Sequence, residues 1–146
     1  MTKIILVRIR GMVNVDFRIE TTLDLLRLRK KFSCVLIENK KEYLGMITKA
    51  KDYIAYDNVD LETLKLLLLK RARLPGNKNP NFDEKTAEEN AKKLMENKIT
   101  LEELKLKPFF MLHPPRGGFK GTTKQSWPKG VLGKNKDLNK LIKKML

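Results

Sequence analysis

Residues 3–10 read Lys-Ile-Ile-Leu-Val-Arg-Ile-Arg and predict the first strand of a β-sheet. Alternation places three aliphatic residues, from Ile5 to Ile9, on one side of this strand. The other side begins with apolar side chains and ends with Arg8 and Arg10. We therefore expect one side to pack against a core and the cationic end of the other side to be available for contact.

Helix and strand signals alternate along the residues that follow. Thr21 or Thr22 is suited to N-cap a first helix, and apolar residues at helical spacing predict a second one. Short runs rich in β-branched and aromatic residues lie after each helix. The resulting order is β-α-β-α-β. The predicted segments after the first strand are a helix over about 22–31, a strand at 33–38, a helix over about 42–51 and a strand at 53–56.

The section 60–106 is predicted to be helical. Asp60 is placed to cap a leucine-rich helix that Pro75-Gly76 ends. Thr86-x-x-Glu89 and Thr100-x-x-Glu103 are capping-box patterns, each expected to open a short helix. We expect these helices to cover a flank of the first section.

Charge is distributed unevenly along the chain, which carries a formal +15 at pH 7. Residues 1–59 have 12 basic and 7 acidic side chains, 60–106 have 10 and 9, and 107–146 have 10 and 1. The last segment also holds five of the eight glycines and four of the six prolines. We predict three parts at these boundaries, the last being a basic extended strap that is a poor core former and orders on its partner.

Composition excludes several classes of function. One cysteine, Cys34, leaves no partner for a disulfide or a cysteine-rich zinc site, and the single His113 cannot build a histidine metal cage. No apolar run is long enough to cross a membrane, which predicts a soluble, cytoplasmic protein. A pI near 10.0 makes a nucleic acid the expected partner, with an anionic membrane surface as the weaker alternative.

The stretch 113–121, His-Pro-Pro-Arg-Gly-Gly-Phe-Lys-Gly, is the most unusual in the chain. Prolines favour an extended path, glycines allow close backbone approach, and two cations bracket an aromatic ring, a combination suited to RNA. The alternative is a flexible surface loop. The same composition continues through Lys124, Trp127 and Lys129, which favours RNA contact.

A second basic cluster occupies 70–78, Lys-Arg-Ala-Arg-Leu-Pro-Gly-Asn-Lys. Its arginines suit bidentate phosphate contacts, while an ordinary solvated helix end explains the pattern equally well. For Arg8 and Arg10 we favour nucleic-acid contact. For Arg27 and Arg29 both alternatives stay open: nucleic-acid contact, or an ordinary solvent-exposed surface.

Catalysis and nucleotide binding have little support in the sequence. His113 has no carboxylate or second ligand near it in the chain, and acid–base work needs a positioned partner. The glycines at 117 and 118 fit neither of the common phosphate-loop motifs.

Apolar residues of 137–146 recur at helical spacing, and docking of this amphipathic helix on the protein's own helices is favoured over a membrane surface.

Four segments together resemble the L-thirty family of large-subunit ribosomal proteins, called L-seven in eukaryotes. They are Ile9-Arg10-Gly11, the leucine-rich stretch 22–28, the Gly-Met-Ile-x-Lys stretch within 45–54, and the late stretch 113–120. The first 57 or so residues resemble the short bacterial form, and the remainder resembles the longer archaeal form. The long basic N-terminal extension of the eukaryotic form has no counterpart ahead of the first strand.

The resemblance implies an α+β fold with a ferredoxin-like β-α-β-α-β core and a three-stranded sheet, followed by a helical extension. It also implies binding to large-subunit ribosomal RNA of the 23S type, near the 5S rRNA, and to neighbouring ribosomal proteins, with no enzymatic activity, cofactor, metal, small-molecule substrate or membrane. The residues expected to contact RNA are Arg8, Arg10, Lys70, Arg71, Arg73, Lys78, His113, Arg116, Gly117, Gly118, Phe119, Lys120, Lys124, Trp127 and Lys129.

Two other classes remain open at this point. A free nucleic-acid-binding regulator would bind arbitrary duplexes with comparable affinity. A basic RNA-processing enzyme would need a carboxylate or histidine pair, which the sequence does not offer.

Overall fold

The computed structural model describes residues 2–146 as an α+β fold that alternates strands and helices up to residue 58. Two further helices follow, and the last third contributes three strands and a final helix. The elements are β1 (Lys3–Arg8), α1 (Phe17–Leu25), β2 (Ser33–Glu38), α2 (Lys41–Ala50), β3 (Ile54–Asn58), α3 (Leu61–Lys70), α4 (Glu84–Met95), β4 (Phe110–Met111), β5 (Thr122–Ser126), β6 (Gly130–Lys134) and α5 (Leu138–Met145).

The sheet is built around β1, which pairs antiparallel with β2 on one side and β3 on the other. Leu6 lies opposite Val35 on β2 and Tyr56 on β3. The first strand ends at Arg8, two residues before its predicted end, because the N–H groups of Ile9 and Arg10 both donate to the Tyr53 carbonyl, at 3.0 and 3.2 Å. The β-α-β-α-β order is as predicted.

The sheet has six strands rather than the three predicted, in the order β4-β2-β1-β3-β6-β5. The three additions come from the C-terminal segment. Phe110 on β4 lies opposite Cys34, and Gly133 on β6 lies opposite Ala55 in parallel pairing. The prediction missed these strands because β4 has only two residues, β5 is polar and β6 contains two glycines. Such strands have weak local signals and form where an existing edge provides hydrogen-bonding groups.

Both faces of the central strands are buried. One core contains Ile4, Leu6 and Ile47, under α1 and α2. The other contains Ile5 and Val7, under α3, α4 and α5. The expectation that one side of β1 ends in exposed cations is wrong at Arg8, which is 2% exposed.

The first helix runs from Phe17 to Leu25 rather than over 22–31. Asp16 is its N-cap and accepts a hydrogen bond from the Arg18 N–H. Thr21 and Thr22, the predicted caps, lie inside the helix, where their hydroxyls donate to carbonyls four residues earlier. Serine and threonine hydroxyls satisfy either role, so the sequence pattern alone did not decide between them.

The helical section differs from prediction at its caps. α3 begins after Asp60 as expected, but the Asp60 side chain makes no capping bond, and its N–H donates to the Asn139 side chain of α5 at 3.2 Å. α4 begins at Glu84, so the proposed start at Thr86 is wrong. The Thr100–Glu103 pair forms both bonds of a capping box, at 3.2 and 3.3 Å, yet the residues after it form turns rather than a helix.

The C-terminal segment contributes to the core, which corrects the expectation that it is a poor core former. Phe110, Leu132 and Ile142 are buried in the core beneath α3 and α4. The predicted docking of the last helix on the protein's own helices is confirmed, because α5 packs on α3 and β3. The division of the chain at residues 59 and 106 stays a prediction, since the three parts share one sheet and one core.

Candidate nucleic-acid interface

Arg8 is a structural residue in this fold. Its guanidinium donates to the carbonyls of Leu28, Arg29, Arg10 and Gly11, at 2.8–3.2 Å. Burial lowers the pKa of Arg8, which the charges of Asp24 and Glu20 partly oppose. Four of its five N–H donors are used within the protein, so Arg8 joins the turn after β1 to the turn after α1. We do not retain it among the residues proposed to contact RNA.

Arg10, two residues after the end of β1, has a different environment. Its guanidinium carbon lies 5.0 Å from the centre of the Tyr53 ring, in cation–π geometry. The residue is half-buried. The stacked ring orients the guanidinium at the surface, where it remains able to receive a phosphate.

The end of α3 carries the second predicted cluster. Lys70 and Lys78 are exposed, and Arg71 and Arg73 are half-buried. Arg73 donates to its own segment, to the Ala72 carbonyl at 2.9 Å. The Arg71 Nε is buried and has no hydrogen-bond partner. Burial lowers the pKa of Arg71, and the positive charges of Arg73 and Arg116 lower it further.

The charge of Arg116 acts on Arg71, so two basic segments more than forty residues apart in the sequence lie within electrostatic range of each other. The last turn of α5 holds the later segment in position. The backbone N–H groups of His113 and Arg116 donate to the carbonyls of Met145 and Lys144, at 3.0 and 3.1 Å. These carbonyls lack partners within the helix, so the strap closes the helix end while its side chains stay at the surface. His113 and Arg116 are both exposed.

The glycines at 117 and 118 turn the chain after Arg116. Both have positive φ, 78° and 75°, and the Gly118 N–H donates to the Pro115 carbonyl at 3.1 Å. Phe119 then packs on Phe32, with ring centres 6.3 Å apart and an interplanar angle of 25°. One side of the Phe119 ring is therefore used to anchor the strap to the protein.

A cleft of about 480 Å³ lies beyond this turn. It is lined by residues of the stretch 118–131, the part of the strap that precedes α5, and by residues of α5 itself. It brings together the predicted residues Gly118, Lys120, Trp127 and Lys129. The Lys136 ammonium lies 5.7 Å from the centre of the Trp127 ring. Lys124, on β5, is exposed and does not line the cleft. Cations around an accessible indole are a common arrangement in proteins that bind single-stranded nucleic acid.

Two lysines of the cleft were not among the residues predicted to contact RNA. Lys140 and Lys144 line it from the polar side of α5. Their signal was present as lysines four residues apart opposite the apolar face, and the sequence analysis considered only the docking of that helix.

Arginines and lysines differ in their partners. All six salt bridges found in residues 2–146 use lysine, among them Lys65–Glu88 at 3.3 Å and Lys92–Glu88 at 2.9 Å. The arginines of that range form none. The cluster of Arg71, Arg73 and Arg116 therefore presents uncompensated positive charge, which an external anion is suited to neutralise.

Other chemistry has no assembled site in the part of the chain that the structure describes. Residues 2–146 contain no group of three or more potential metal-ligating His, Cys, Asp or Glu side chains. Cys34 is fully buried, and burial raises the pKa of its thiol far above the usual range, so it serves as a small core residue. No helix in residues 2–146 is both long and apolar enough to span a bilayer.

The chain is similar to known ribosomal proteins over nearly all of its length. The sequence profile described as ribosomal protein L30p/L7e matches residues 4–54. Large ribosomal subunit protein uL30 of Archaeoglobus fulgidus is 45% identical over 95% of this chain and 97% of its own length. The proteins of that name from Staphylothermus marinus and Korarchaeum cryptofilum are 44% and 40% identical, over 97% and 98% of the chain and 96% and 94% of their own lengths.

Proposed function

We propose, on the premise that this chain belongs to the L30p/L7e family of ribosomal proteins, that it is a structural constituent of the large ribosomal subunit. It works on the ribosome in the cytoplasm, among rRNA and other ribosomal proteins, and it catalyses no reaction. The archaeal relatives, similar over nearly their whole length, make it an archaeal-type member. A free nucleic-acid-binding regulator finds no support in these similarities.

The observation that carries the RNA-binding role is the meeting of Arg71, Arg73 and Arg116 without a carboxylate partner. Burial lowers the pKa of Arg71 most, and the like charges of Arg73 and Arg116 lower it further, so the arrangement is unfavourable for the isolated protein. Phosphate groups reverse the sign of that interaction, and guanidinium groups bind phosphate oxygens bidentately. The cluster is therefore suited to a bend in an RNA backbone, where phosphates are dense.

The cleft beside the strap supplies a second type of contact. Lys120 and Lys129 are placed to follow a phosphate backbone, and Trp127 offers a ring on which an unpaired base can stack. Arg10, Lys70, Lys78 and Lys124 are exposed or half-buried and add positive charge to the surface of the protein. We assign the RNA to the 23S-type rRNA of the large subunit, near the 5S rRNA.

Sedimentation of a lysate of the source organism tests this function, with mass spectrometry to follow the protein through a sucrose gradient. We expect co-sedimentation with the large subunit in moderate salt and persistence after a high-salt wash, because the contacts are distributed over several segments. If the protein stayed at the top of the gradient in moderate salt, the ribosomal role would be wrong.

A further inference from the structure

A basic groove adjoins the loop 70–78, between the turn after α1 and the segment that leads into β4. It has a volume of about 510 Å³, within the range of pockets that hold a nucleotide-sized ligand. Arg27, Arg29 and Lys30 line one side, and Lys107 and Phe109 line the other. The lining residues, all within 2–146, include no carboxylate.

The backbone at Arg27 is held in a conformation that arginine disfavours. Its φ is 61°, and the N–H groups of Arg27 and Leu28 donate to the carbonyls of Asp24 and Leu23 at 2.9 Å. These two bonds define a Schellman motif, in which the left-handed position after the helix is usually glycine. An arginine there costs conformational energy that a glycine would not, and strain of this kind is concentrated at functional sites.

The opposite side of the groove combines an aromatic ring with a positioned cation. The Lys107 ammonium lies 5.9 Å from the centre of the half-buried Phe109 ring and donates to the Asn77 side chain. Asn77 belongs to the loop 70–78, and the Lys107 N–H donates to the Arg73 carbonyl at 2.9 Å. The groove is therefore continuous with the arginine cluster at the end of α3.

We propose that this groove binds an unpaired nucleotide of RNA, with the base against Phe109 and its phosphates at Arg27, Arg29 and Lys30. The proposal rests on the RNA-binding function above, and extends it to a surface on the far side of the loop 70–78. An RNA strand following the protein from the arginine cluster reaches the groove without leaving positively charged surface. An acidic peptide is less well suited, because β4 at the adjoining sheet edge is two residues long and offers few backbone groups for strand addition.

Arg27→Gly separates binding from folding in the full-length protein. Glycine relieves the left-handed strain, so we expect the urea midpoint to equal or exceed that of the wild type. With deproteinised large-subunit rRNA of Archaeoglobus fulgidus as the probe, we expect affinity to fall about three- to tenfold and the salt slope to fall by about one unit. An Arg18→Gly control would not match Arg27→Gly in backbone conformation. Lys41→Gln, which removes one exposed charge from α2, therefore serves as the control.

A fluorescence measurement locates the contact. Phe109→Trp combined with Trp127→Phe leaves a single tryptophan, in the groove, whereas the wild-type protein carries its single tryptophan in the strap cleft. We expect added rRNA to quench the indole at position 109, because a stacked base contacts it directly.

The outcomes distinguish the two proposals. If Arg27→Gly binds rRNA as tightly as the wild type and the indole at position 109 is not quenched, the groove proposal is wrong while the RNA-binding function stands. If that indole is shielded from acrylamide only in assembled subunits, and not by rRNA alone, a neighbouring protein occupies the groove and the proposal is again overturned. If the wild-type protein does not bind rRNA at all, the proposed function itself fails.

Discussion

Arg8 and the cluster of Arg71, Arg73 and Arg116 have the same chemistry and opposite surroundings. Arg8 is 2% exposed and donates to four backbone carbonyls, so its charge is distributed over acceptors within the fold. In the cluster, Arg71 has a buried donor without a partner, and the charges that act on it are those of two further arginines, Arg73 and Arg116. Arg8 stabilises the folded protein through these bonds, whereas we propose that an RNA phosphate completes the cluster.

The difference shows that a basic residue is a candidate for nucleic-acid contact only when its hydrogen-bond donors are not already used within the protein. Both arginine groups stand in basic stretches that sequence reasoning assigned to RNA contact. A buried guanidinium is tolerated where its donors are satisfied. A partly buried one among like charges is retained at a cost in stability, which is common at functional sites.

Removal of the Arg8 guanidinium is expected to have the largest effect on the folded state. Arg8→Met keeps an unbranched apolar side chain and leaves the carbonyls of Leu28 and Arg29 without their donor. We expect the free energy of unfolding to fall by about 3 kcal/mol, measured by urea denaturation. Arg10→Met, two residues further along the chain, serves as the control. A decrease of less than about 0.5 kcal/mol at Arg8 would show that water replaces the guanidinium and that Arg8 is not structural.

Removal of the cluster is expected to affect binding rather than folding. The combined substitutions Arg71→Gln, Arg73→Gln and Arg116→Gln should weaken rRNA binding between about tenfold and about a hundredfold at low salt, measured by filter binding. The control removes three exposed helix charges that form no salt bridge, Lys41→Gln, Lys49→Gln and Lys93→Gln. Equal weakening in the two triple variants would mean that only net charge matters and that the cluster has no special role.

Relief of repulsion within the cluster is expected to stabilise the unbound protein slightly. Arg116→Gln retains the backbone bond to α5 and removes one of the charges that lower the pKa of Arg71. We expect a gain of about 0.3 kcal/mol in the free energy of unfolding at low ionic strength, which disappears in about 1 M salt as screening takes over. Destabilisation by this substitution would show that Arg116 makes a favourable contact within the fold.

Titration of Glu88 is expected to have the smallest effect. Hydrogen bonds and charge from Lys92 and Lys65 lower the pKa of this exposed carboxyl, and the second lysine joins α4 to α3. Its small stabilising contribution is present above the pKa of the unfolded chain and is lost as pH falls through the lower folded-state pKa. Glu88→Gln should slightly flatten the pH dependence of thermal unfolding in that range and leave rRNA affinity unchanged. An affinity change would place α4 at the interface.

Local patterns predicted the first half of the fold well and the last third poorly. The strand at Ser33–Glu38 matches its prediction at both ends, and α2 lies one residue before the predicted range, because apolar periodicity and flanking turn residues act locally. The strands β4 and β6 depend on the edges that β2 and β3 provide. No window of sequence around Phe110 or Gly133 contains that information.

The candidate site shows the same division. Composition identified both basic segments, yet the proximity of Arg71 and Arg116 depends on how the strap joins the end of α5. The burial of Arg8 depends equally on the position of the turn after α1, whose start the sequence pattern misplaced by five residues, at 22 rather than Phe17. The positions of the basic segments along the chain were therefore predictable from the sequence, whereas the groups that surround each arginine in the fold were not.

The salt dependence of rRNA binding tests the central claim most directly, by comparing the wild type with the triple variant of Arg71, Arg73 and Arg116. Each arginine that no longer neutralises a phosphate should reduce the slope of log affinity against log salt by about 0.7 to 0.9. We predict a slope smaller by about 2 to 3 units for the triple variant, and about one unit for Arg116→Ala alone. An unchanged slope in the triple variant would remove the cluster from the interface and contradict its proposed role.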